Sequence, residues 1–303
     1  MIITRTPLRL ALLGGNTDFP KYFKKYGGAG LTATIDKYVY CILKERFDDE
    51  IRINYNIKEI VSDIKDIKHD LVREAIRLVN VTKGVEITFL SDIPSEGSGL
   101  GSSSAVVIGL LNALHEYKNE HVGARQLAEE ACKIEVDILK KPIGYQDQYA
   151  IAFGGYHFIE FTKEHIAIGD GFSIENENFM LFYTGITRKT DDVLSKLKLN
   201  KKILDKNKAL VFNMDLSLGE LLNLSWESKK KLNPLVTNKT IDDLYSKAIE
   251  AGAIGGKIIG AGGGGFFLFV VPEDKKQAVR EALKLKELPF NLSQGGSKVI
   301  FQI

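Results

Sequence analysis

Glycine is concentrated in three short segments of this 303-residue chain, and that distribution limits the folds that the chain can adopt. Of its 28 glycines, Gly14 and Gly15 are adjacent, three more occupy positions 97, 99 and 101, and eight fall between residues 252 and 265. Glycine permits positive φ angles and close backbone approach, but it weakens regular helices and strands. Each segment therefore predicts a tight loop that lies against a ligand or against another stretch of backbone.

The charge balance and the cysteine count exclude several classes of function. Lys and Arg number 41 against 39 Asp and Glu, so the chain has no basic footprint for nucleic acid. Cys41 and Cys132 cannot form a disulfide framework and lack metal-ligand spacing. No apolar run reaches the roughly 18 residues of a membrane span, and no signal-peptide pattern is present. We therefore expect a reduced, cytoplasmic protein that binds neither nucleic acid nor membranes, with a homodimer left open.

Hydrophobic periodicity predicts two mixed halves with a boundary near Gly171. In the first half, residues 36–46 and 51–55 are predicted to pair as strands. Residues 102–118 are apolar nearly all round and predict a buried helix, whereas residues 123–141 predict an amphipathic one. The second half follows a β-α-β-β-α-β pattern whose last strand is expected over residues 298–303. We therefore expect one domain over residues 1–171 and another over residues 172–303.

The glycine-rich loop before the buried helix predicts an anion site. Free N–H groups in the first helical turn and the positive end of the helix dipole both favour phosphate. The loop is not a Walker A motif, because no Lys follows its glycines, and Ser102 stands where a dinucleotide fingerprint needs Gly or Ala. We favour a phosphate site here over a Ser/Gly turn that only begins the helix.

The third glycine segment matches a dinucleotide motif only formally. Residues 260–265 satisfy G-x-G-x-x-G, but the apolar β run over residues 266–271 follows where that motif requires a helix. Two interpretations stay open: a loop pressed against a ligand or the other domain, and a strained hairpin with bulges.

Three carboxylates are the candidates for chemistry, because the five histidines are scattered and show no ligand spacing. Glu135 borders the apolar stripe of its helix, where a carboxylate needs a partner, a cation or a metal unless it is simply exposed. Asp147 lies in a polar segment after that helix, and Asp18 follows the first glycine pair. Either aspartate could equally be a turn residue.

Three segments taken together resemble the galactokinase, homoserine kinase, mevalonate kinase and phosphomevalonate kinase (GHMP) superfamily. They are Thr6-Pro7-Leu8-Arg9 with Gly14-Gly15-Asn16-Thr17-Asp18, then residues 94–105, then residues 257–265, in the family's order. The resemblance covers nearly the whole chain. It implies a two-domain α/β (α+β) fold with an N-terminal half like ribosomal protein S5 domain 2 and a ferredoxin-like C-terminal half. It also implies a small-molecule kinase that uses ATP and Mg²⁺.

The same resemblance implies a role for each motif residue. Asp147 resembles the catalytic carboxylate that takes the proton of a sugar hydroxyl, and Arg9 resembles the basic residue beside it. Ser103 and Glu135 resemble the magnesium pair. The residues implied to hold ATP are Pro94, Gly97, Ser98, Gly99, Leu100, Gly101, Ser102, Ser103 and Ser104. Those implied to bind the sugar are Asn16, Thr17 and Asp18, with Gly262 and Gly263 closing the site from the second domain.

Within the superfamily, the chain most resembles the branch of bacterial D-glycero-D-manno-heptose 7-phosphate kinases. Residues 14–18, 146–149, 183–188 and 226–230 carry this likeness, although Asn16 stands where the branch commonly has a third glycine. The branch implies phosphorylation of the anomeric hydroxyl to give the 1,7-bisphosphate, for nucleotide-activated heptose and surface polysaccharide.

A phosphorylated sugar needs cations, and Arg188 and Lys229 are the candidates, with Lys257 third. For Lys229 a solvated helix face is the alternative. Two other functions stay open for the chain: a galactokinase- or fucokinase-like kinase of an unphosphorylated sugar, and a non-catalytic sensor of sugar and ATP.

Overall fold

The computed structural model describes residues 1–94, 97–170, 178–187 and 193–303. Within these ranges the chain forms two sheets with helices packed against them. No helix of the described residues is both long and apolar enough to cross a membrane. Cys41 and Cys132 are buried free thiols.

The first sheet has nine strands and is built around the 18-residue strand β2. Its main path runs β13-β1-β2-β5-β3-β4, while β6 and β12 also pair with β2 and β7 pairs with β6. All these pairs are antiparallel except β3 with β5. The strands are β1 (Ile2–Leu13), β2 (Gly28–Glu45), β3 (Ile51–Asn54), β4 (Lys58–Val61), β5 (Val85–Ser91), β6 (Tyr156–Phe161), β7 (Ile166–Asp170), β12 (Leu292–Ser293) and β13 (Lys298–Gln302).

The helices of the first half pack on this sheet, and the most buried of them opens with the serine triplet. Its side chains are apolar on almost every face, so it lies between the strands β1 and β2 and its neighbouring helices. The helices are α1 (Pro20–Tyr26), α2 (Asp70–Val79), α3 (Ser102–Tyr117), α4 (Ala124–Cys132) and α5 (Gln146–Phe153).

The second sheet has four strands in the order β11-β8-β10-β9. The strands are β8 (Phe179–Tyr183), β9 (Gly255–Ile258), β10 (Phe266–Val270) and β11 (Lys286–Glu287). The helices of this half are α6 (Lys201–Val211), α7 (Leu218–Leu232), α8 (Lys239–Glu250) and α9 (Lys276–Leu283). Two mixed layers of this kind confirm the predicted two-domain α/β fold.

The strand β10 joins the two halves, because its alternate side chains pack into two different apolar clusters. Phe266, Leu268 and Val270 pack in the cluster that contains the first sheet, while the residues between them pack against Trp226 and its neighbours. Because every residue of β10 is buried, the strand is apolar throughout instead of alternating with polar residues. Burial of each large side chain contributes roughly 1.5–3 kcal/mol, so the second sheet is anchored firmly to the first.

Two predicted strand arrangements are wrong. Residues 36–46 and 51–55 do not pair, because β5 lies between β2 and β3 in the sheet. The fourth strand of the second sheet is β11, whereas β13 pairs with β1 in the first sheet. Local alternation identifies a strand, but the choice of partner depends on long-range contacts that periodicity does not report. The predicted boundary near Gly171 lies outside the described residues, and the division at that point stays a prediction.

His115, which is buried near the end of α3, links that helix to α4. The Nδ1 atom of His115 lies 2.7 Å from a carboxylate oxygen of Glu120, and its Nε2 atom lies 2.7 Å from one of Glu130. These two carboxylates raise the pKa of His115, with Glu130 as the larger cause. The same contact with His115 helps to lower the pKa of Glu130 against the opposing effect of burial.

We predict that His115→Gln destabilises the protein in a pH-dependent way. Because the pKa of His115 is raised in the folded state, its contribution is full below its usual pKa of about 6.5 and is lost as pH rises through the folded value. We expect a loss of about 1–3 kcal/mol in the free energy of unfolding at about pH 6, and a smaller loss at about pH 9, where less of His115 is protonated. Urea unfolding at both pH values measures it, with the exposed His121→Gln as the control. If the loss in the free energy of unfolding were equal at both pH values, this would contradict the stabilising role of protonated His115.

Candidate active site

A cavity of about 1260 Å³ opens between the two sheets and is lined by all three glycine segments. The positions of the lining residues relative to β1 show how they are arranged along the cavity. The strand β5 pairs with the part of β2 that lies opposite Arg5 and Thr4, so Phe89 and Leu90 are at one end. Arg9 is in the middle, and the loop that follows β1 is at the other end. The cavity can therefore hold a long ligand, or two ligands end to end.

The predicted phosphate loop, residues 97–101, has three glycines in the left-handed region, with φ of 70°, 77° and 81° at Gly97, Gly99 and Gly101. Gly101 immediately precedes α3, so the first turn of that buried helix faces the cavity. The hydroxyls of Ser98 and Ser102 lie 3.1 Å apart and close the loop. This geometry provides what a phosphate group requires, namely free backbone N–H groups at a helix N-terminus.

The third glycine segment packs against the phosphate loop. A Cβ atom on Gly99 would lie 2.4 Å from the carbonyl oxygen of Ile259, and one on Gly260 would lie 2.5 Å from the Cα atom of Gly99. Gly260 and Ala261 line the cavity. Gly262 and Gly263 instead contact Val236, whose carbonyl accepts the Gly263 N–H at 2.6 Å. Of the two open interpretations of this segment, the structure therefore supports a loop that is pressed against the backbone of the other half.

Arg9 and Asp147 form a paired charge at the centre of the cavity. The Nε and Nη2 atoms of Arg9 donate to the two carboxylate oxygens of Asp147 at 2.7 and 2.5 Å, while Nη1 donates to the Gly99 carbonyl at 2.6 Å. Arg9 is buried, but the Asp147 side chain is 31% exposed and so can be reached by a ligand. Asp147 lies in the first turn of α5, not in the turn that its sequence context also allowed.

Asp18 is the buried carboxylate of the loop after β1. Its side chain accepts the Gln146 N–H at 3.0 Å, and Gly144 packs so closely that a Cβ atom there would lie 1.9 Å from it. Burial raises the pKa of Asp18 to about 6, and the nearby charge of Asp147 adds to this shift. Asn16, with a φ of 67°, lines the cavity beside it. Thr17 is fully buried. Its hydroxyl lies within hydrogen-bond distance of the carbonyls of Gly14 and Ala29, and it accepts the Ala29 N–H.

Glu135 lies in a π-helical turn, Lys133–Ile138, that continues α4 directly, so the helix predicted over residues 123–141 is present and changes from α to π geometry before Glu135. Its Oε2 atom accepts from Ser104 at 2.8 Å and from Gln148 at 2.6 Å, whereas its Oε1 atom is buried with no hydrogen-bond partner. Burial raises the pKa of Glu135 to about 7. A buried carboxylate oxygen without a donor fits a cation better than it fits an apolar contact.

The serine that touches Glu135 is Ser104, not Ser103. Ser103 is exposed, while Ser102 and Ser104 are buried, and all three line the cavity. Ser103 can therefore reach a ligand in the cavity without contacting Glu135 directly. The described residues contain no group of three His, Cys, Asp or Glu side chains placed to hold a metal.

The predicted cations occupy different positions. Arg188 lies outside the described residues. Lys229 lines the cavity and donates to the carbonyl oxygens of Ile258 and Gly260 at 2.9 and 2.5 Å, so it supports the third glycine segment. Lys257 is buried on β9 and lines the same cavity.

Sequence reasoning missed both ends of the cavity. No motif signals them, because each brings together residues that are far apart in the chain. Tyr55, His69 and Phe89 lie at the β5 end, and Asn207 and Ser225 lie at the opposite end. The aromatic residues at strand ends are the one pattern in the sequence that could have indicated the first group.

An elongated cavity with a phosphate loop, an accessible carboxylate and a guanidinium defines a small-molecule phosphotransferase. Residues 67–155 match the N-terminal domain of the GHMP kinases, and residues 213–288 match their C-terminal domain. The chain is 35% identical to the D-glycero-alpha-D-manno-heptose 7-phosphate kinase of Campylobacter jejuni, over 94% of each chain. The chain belongs to the GHMP kinases, and it is a sugar phosphotransferase that uses ATP.

Two further relatives show the range of the likeness. The solved structure of a D-glycero-D-manno-heptose 1-phosphate kinase from Bacteroides thetaiotaomicron is 27% identical, with a TM-score of 0.81 over 100% of this chain and 99% of that one. A galactokinase from Pyrococcus furiosus is 24% identical over 93% of this chain and 92% of its own. The predicted superfamily and its fold are thereby confirmed.

We predict that Gly99→Ala weakens both the fold and nucleotide binding. A side chain there meets the Ile259 carbonyl and is strained at a φ of 77°, which should cost about 1–3 kcal/mol in the free energy of unfolding. Displacement of the loop should also weaken ATP binding by at least about tenfold. Urea unfolding and calorimetry measure the two effects. Gly123→Ala is the control, because a Cβ atom there meets nothing within 4 Å; equal behaviour of the two variants would contradict the close contact.

Proposed function

We propose that this protein transfers the γ-phosphoryl group of ATP to the anomeric hydroxyl of D-glycero-D-manno-heptose 7-phosphate, which gives the 1,7-bisphosphate. The observation that carries the proposal is the Arg9–Asp147 pair, held against the phosphate loop by the bond from Arg9 to the Gly99 carbonyl. In this proposal Asp147 accepts the proton of the sugar hydroxyl as that oxygen attacks the γ-phosphorus. Arg9 fixes the orientation of Asp147 and compensates its charge.

The phosphates of ATP lie along the loop in this proposal. The backbone N–H groups around Gly99 and Gly101 and the first turn of α3 hold them, with Ser98, Ser102, Ser103 and Ser104 as hydroxyl donors. The base lies toward Tyr55 and Phe89, where the cavity offers aromatic and apolar surface. This leaves the sugar on the other side of Arg9, beside Asn16 and Asp18. Phosphoryl transfer depends mainly on such positioning.

Mg²⁺ is the metal that we propose, and Glu135 and Ser103 are the residues that would hold it. When bound, the metal neutralises charge on the phosphate oxygens. The donor set fits it, since Mg²⁺ prefers oxygen ligands and takes several of them from phosphates and water. Burial of Glu135 has raised its pKa to about 7, so a cation beside Oε1 would favour the ionised form.

Support for the heptose comes from the Campylobacter relative and from the Bacteroides structure, whose names place the phosphate of the substrate at different carbons. We extend the proposal to the biological role: the product serves nucleotide-activated heptose and surface polysaccharide. Arg188 stays a predicted ligand of the substrate phosphate.

A panel of sugars tests the substrate. We expect ADP release with ATP, Mg²⁺ and heptose 7-phosphate at a kcat/KM at least about a hundredfold above that for galactose, L-fucose or the unphosphorylated heptose. The panel also includes heptose 1-phosphate. Preference for galactose or L-fucose would establish the alternative kinase, and binding without turnover of any sugar would establish a sensor.

We predict that Asp147→Asn lowers kcat by about a hundredfold to ten-thousandfold, because the amide cannot accept the proton of the sugar hydroxyl. The dissociation constant of ATP should stay within about twofold, since the phosphate loop is untouched. Steady-state kinetics and calorimetry measure both. The exposed Asp137→Asn is the matched control. Retained turnover in Asp147→Asn would refute the assignment of the base.

A further inference from the structure

The end of the cavity beyond Arg9 is built from three polar side chains of the second half. Asn207 of α6, Ser225 of α7 and Lys257 of β9 are each buried, and all of them line the cavity that contains Asp147. They contact the backbone at the end of β1 and in the loop that follows it. Lys257 donates to the carbonyl of Leu12, and Asn207 donates to the carbonyl of Gly15. We call these three residues the acceptor-end cluster.

Lys257 is a buried amine without an anionic partner among the described residues. Its Nζ atom lies 2.8 Å from the Leu12 carbonyl oxygen and 3.5 Å from the Ser225 hydroxyl, and both partners are neutral. Burial, together with the repulsive charge of Arg9, lowers the pKa of Lys257 to about 7. A buried cation is costly unless an anion compensates it, so an anionic ligand would be bound strongly at this position.

Asn207 provides a second, independent sign of a ligand. Its Nδ2 atom donates to the Gly15 carbonyl at 3.3 Å, while its Oδ1 atom is buried with no hydrogen-bond partner. The amide cannot be reversed, because a carbonyl oxygen facing the Gly15 carbonyl would offer no hydrogen. Leaving such an acceptor unpaired costs about 1–3 kcal/mol, which a hydroxyl of a bound substrate would recover.

We propose that the acceptor-end cluster is the binding site for the phosphate group of the sugar substrate. Lys257 donates to a phosphate oxygen, and Asn207 accepts from a neighbouring sugar hydroxyl through Oδ1. This inference rests on the proposed function, because it assumes that the acceptor sugar is already phosphorylated. It places the anionic end of the substrate on the far side of Arg9 from the ATP phosphates, so the two negative groups are kept apart.

The proposal has a pH consequence. The groups beside Lys257 are Arg9 from β1 and Ser225 from α7, while Asp18, Asn207 and Lys229 line the same cavity. Because the pKa of free Lys257 is about 7, the amine is mostly neutral above that pH, and binding of phosphate takes up a proton. Affinity for the sugar phosphate should therefore fall as pH rises from about 7 to about 9.

Kinetics with matched sugars test the site. In Lys257→Met we expect KM for heptose 7-phosphate to rise by about tenfold to hundredfold, with KM for ATP unchanged. The kcat/KM for the unphosphorylated heptose should change much less, so the preference for the phosphorylated sugar falls. Lys257→Arg should keep the preference and lose the pH dependence, and the exposed Lys202→Met should match the unaltered protein. An equal loss for both sugars in Lys257→Met would overturn the proposal, because it would mean that Lys257 only supports Leu12.

A second measurement does not depend on turnover. With saturating Mg-ADP in the phosphate loop, inorganic phosphate should raise the Tm of the unaltered protein and of Lys257→Arg, but not that of Lys257→Met. Absence of a rise in the unaltered protein would overturn the inference whatever the sugar panel shows. A rise that depends on Lys257 would support it even if heptose 7-phosphate is not the substrate, so the two proposals fail separately.

Discussion

The backbone of Gly99 lies against the backbone of Ile259 and Gly260, and the rest of the cavity depends on that contact. The two halves can approach this closely only because Gly99 and Gly260 carry no Cβ atom at the contact. Arg9 then reaches the Gly99 carbonyl with one side of its guanidinium and Asp147 with the other. This one backbone contact thus fixes the positions of the phosphate loop, the Arg9 guanidinium and the Asp147 carboxylate relative to each other.

Desolvation gives the site its chemistry. Burial raises the pKa of Asp18 to about 6 and that of Glu135 to about 7, and it lowers that of Lys257 to about 7. Each shift has the sign expected when a charged form leaves water. Groups poised near neutrality respond strongly to a charged ligand, which is why such shifts collect in functional sites. The cost of burying them is offset by the apolar core that unites the two sheets.

Residues within a contiguous motif could be predicted from the sequence, whereas residues that act through distant partners could not. The fold and the superfamily are confirmed, and the glycines of the predicted phosphate loop do precede a buried helix. The contact between Ser104 and Glu135 joins residues 31 positions apart, and no motif in the sequence indicated it. The π-helical turn that carries Glu135 has no clear pattern in a single sequence. Asn207 and Ser225 were missed because α6 and α7 reach the site only through tertiary packing.

The sequence by itself determined where the chain turns tightly and which helix is buried, and its motifs identified the superfamily. These properties depend on local conformational freedom and on hydrophobic period, and both are encoded over a few neighbouring residues. Only the tertiary structure decided that β13 returns to the first sheet, that β5 separates β2 from β3, and that Lys257 is buried beside Leu12. Strand partners and buried charges are set by residues hundreds of positions apart, where the free energy of the whole core outweighs any local preference.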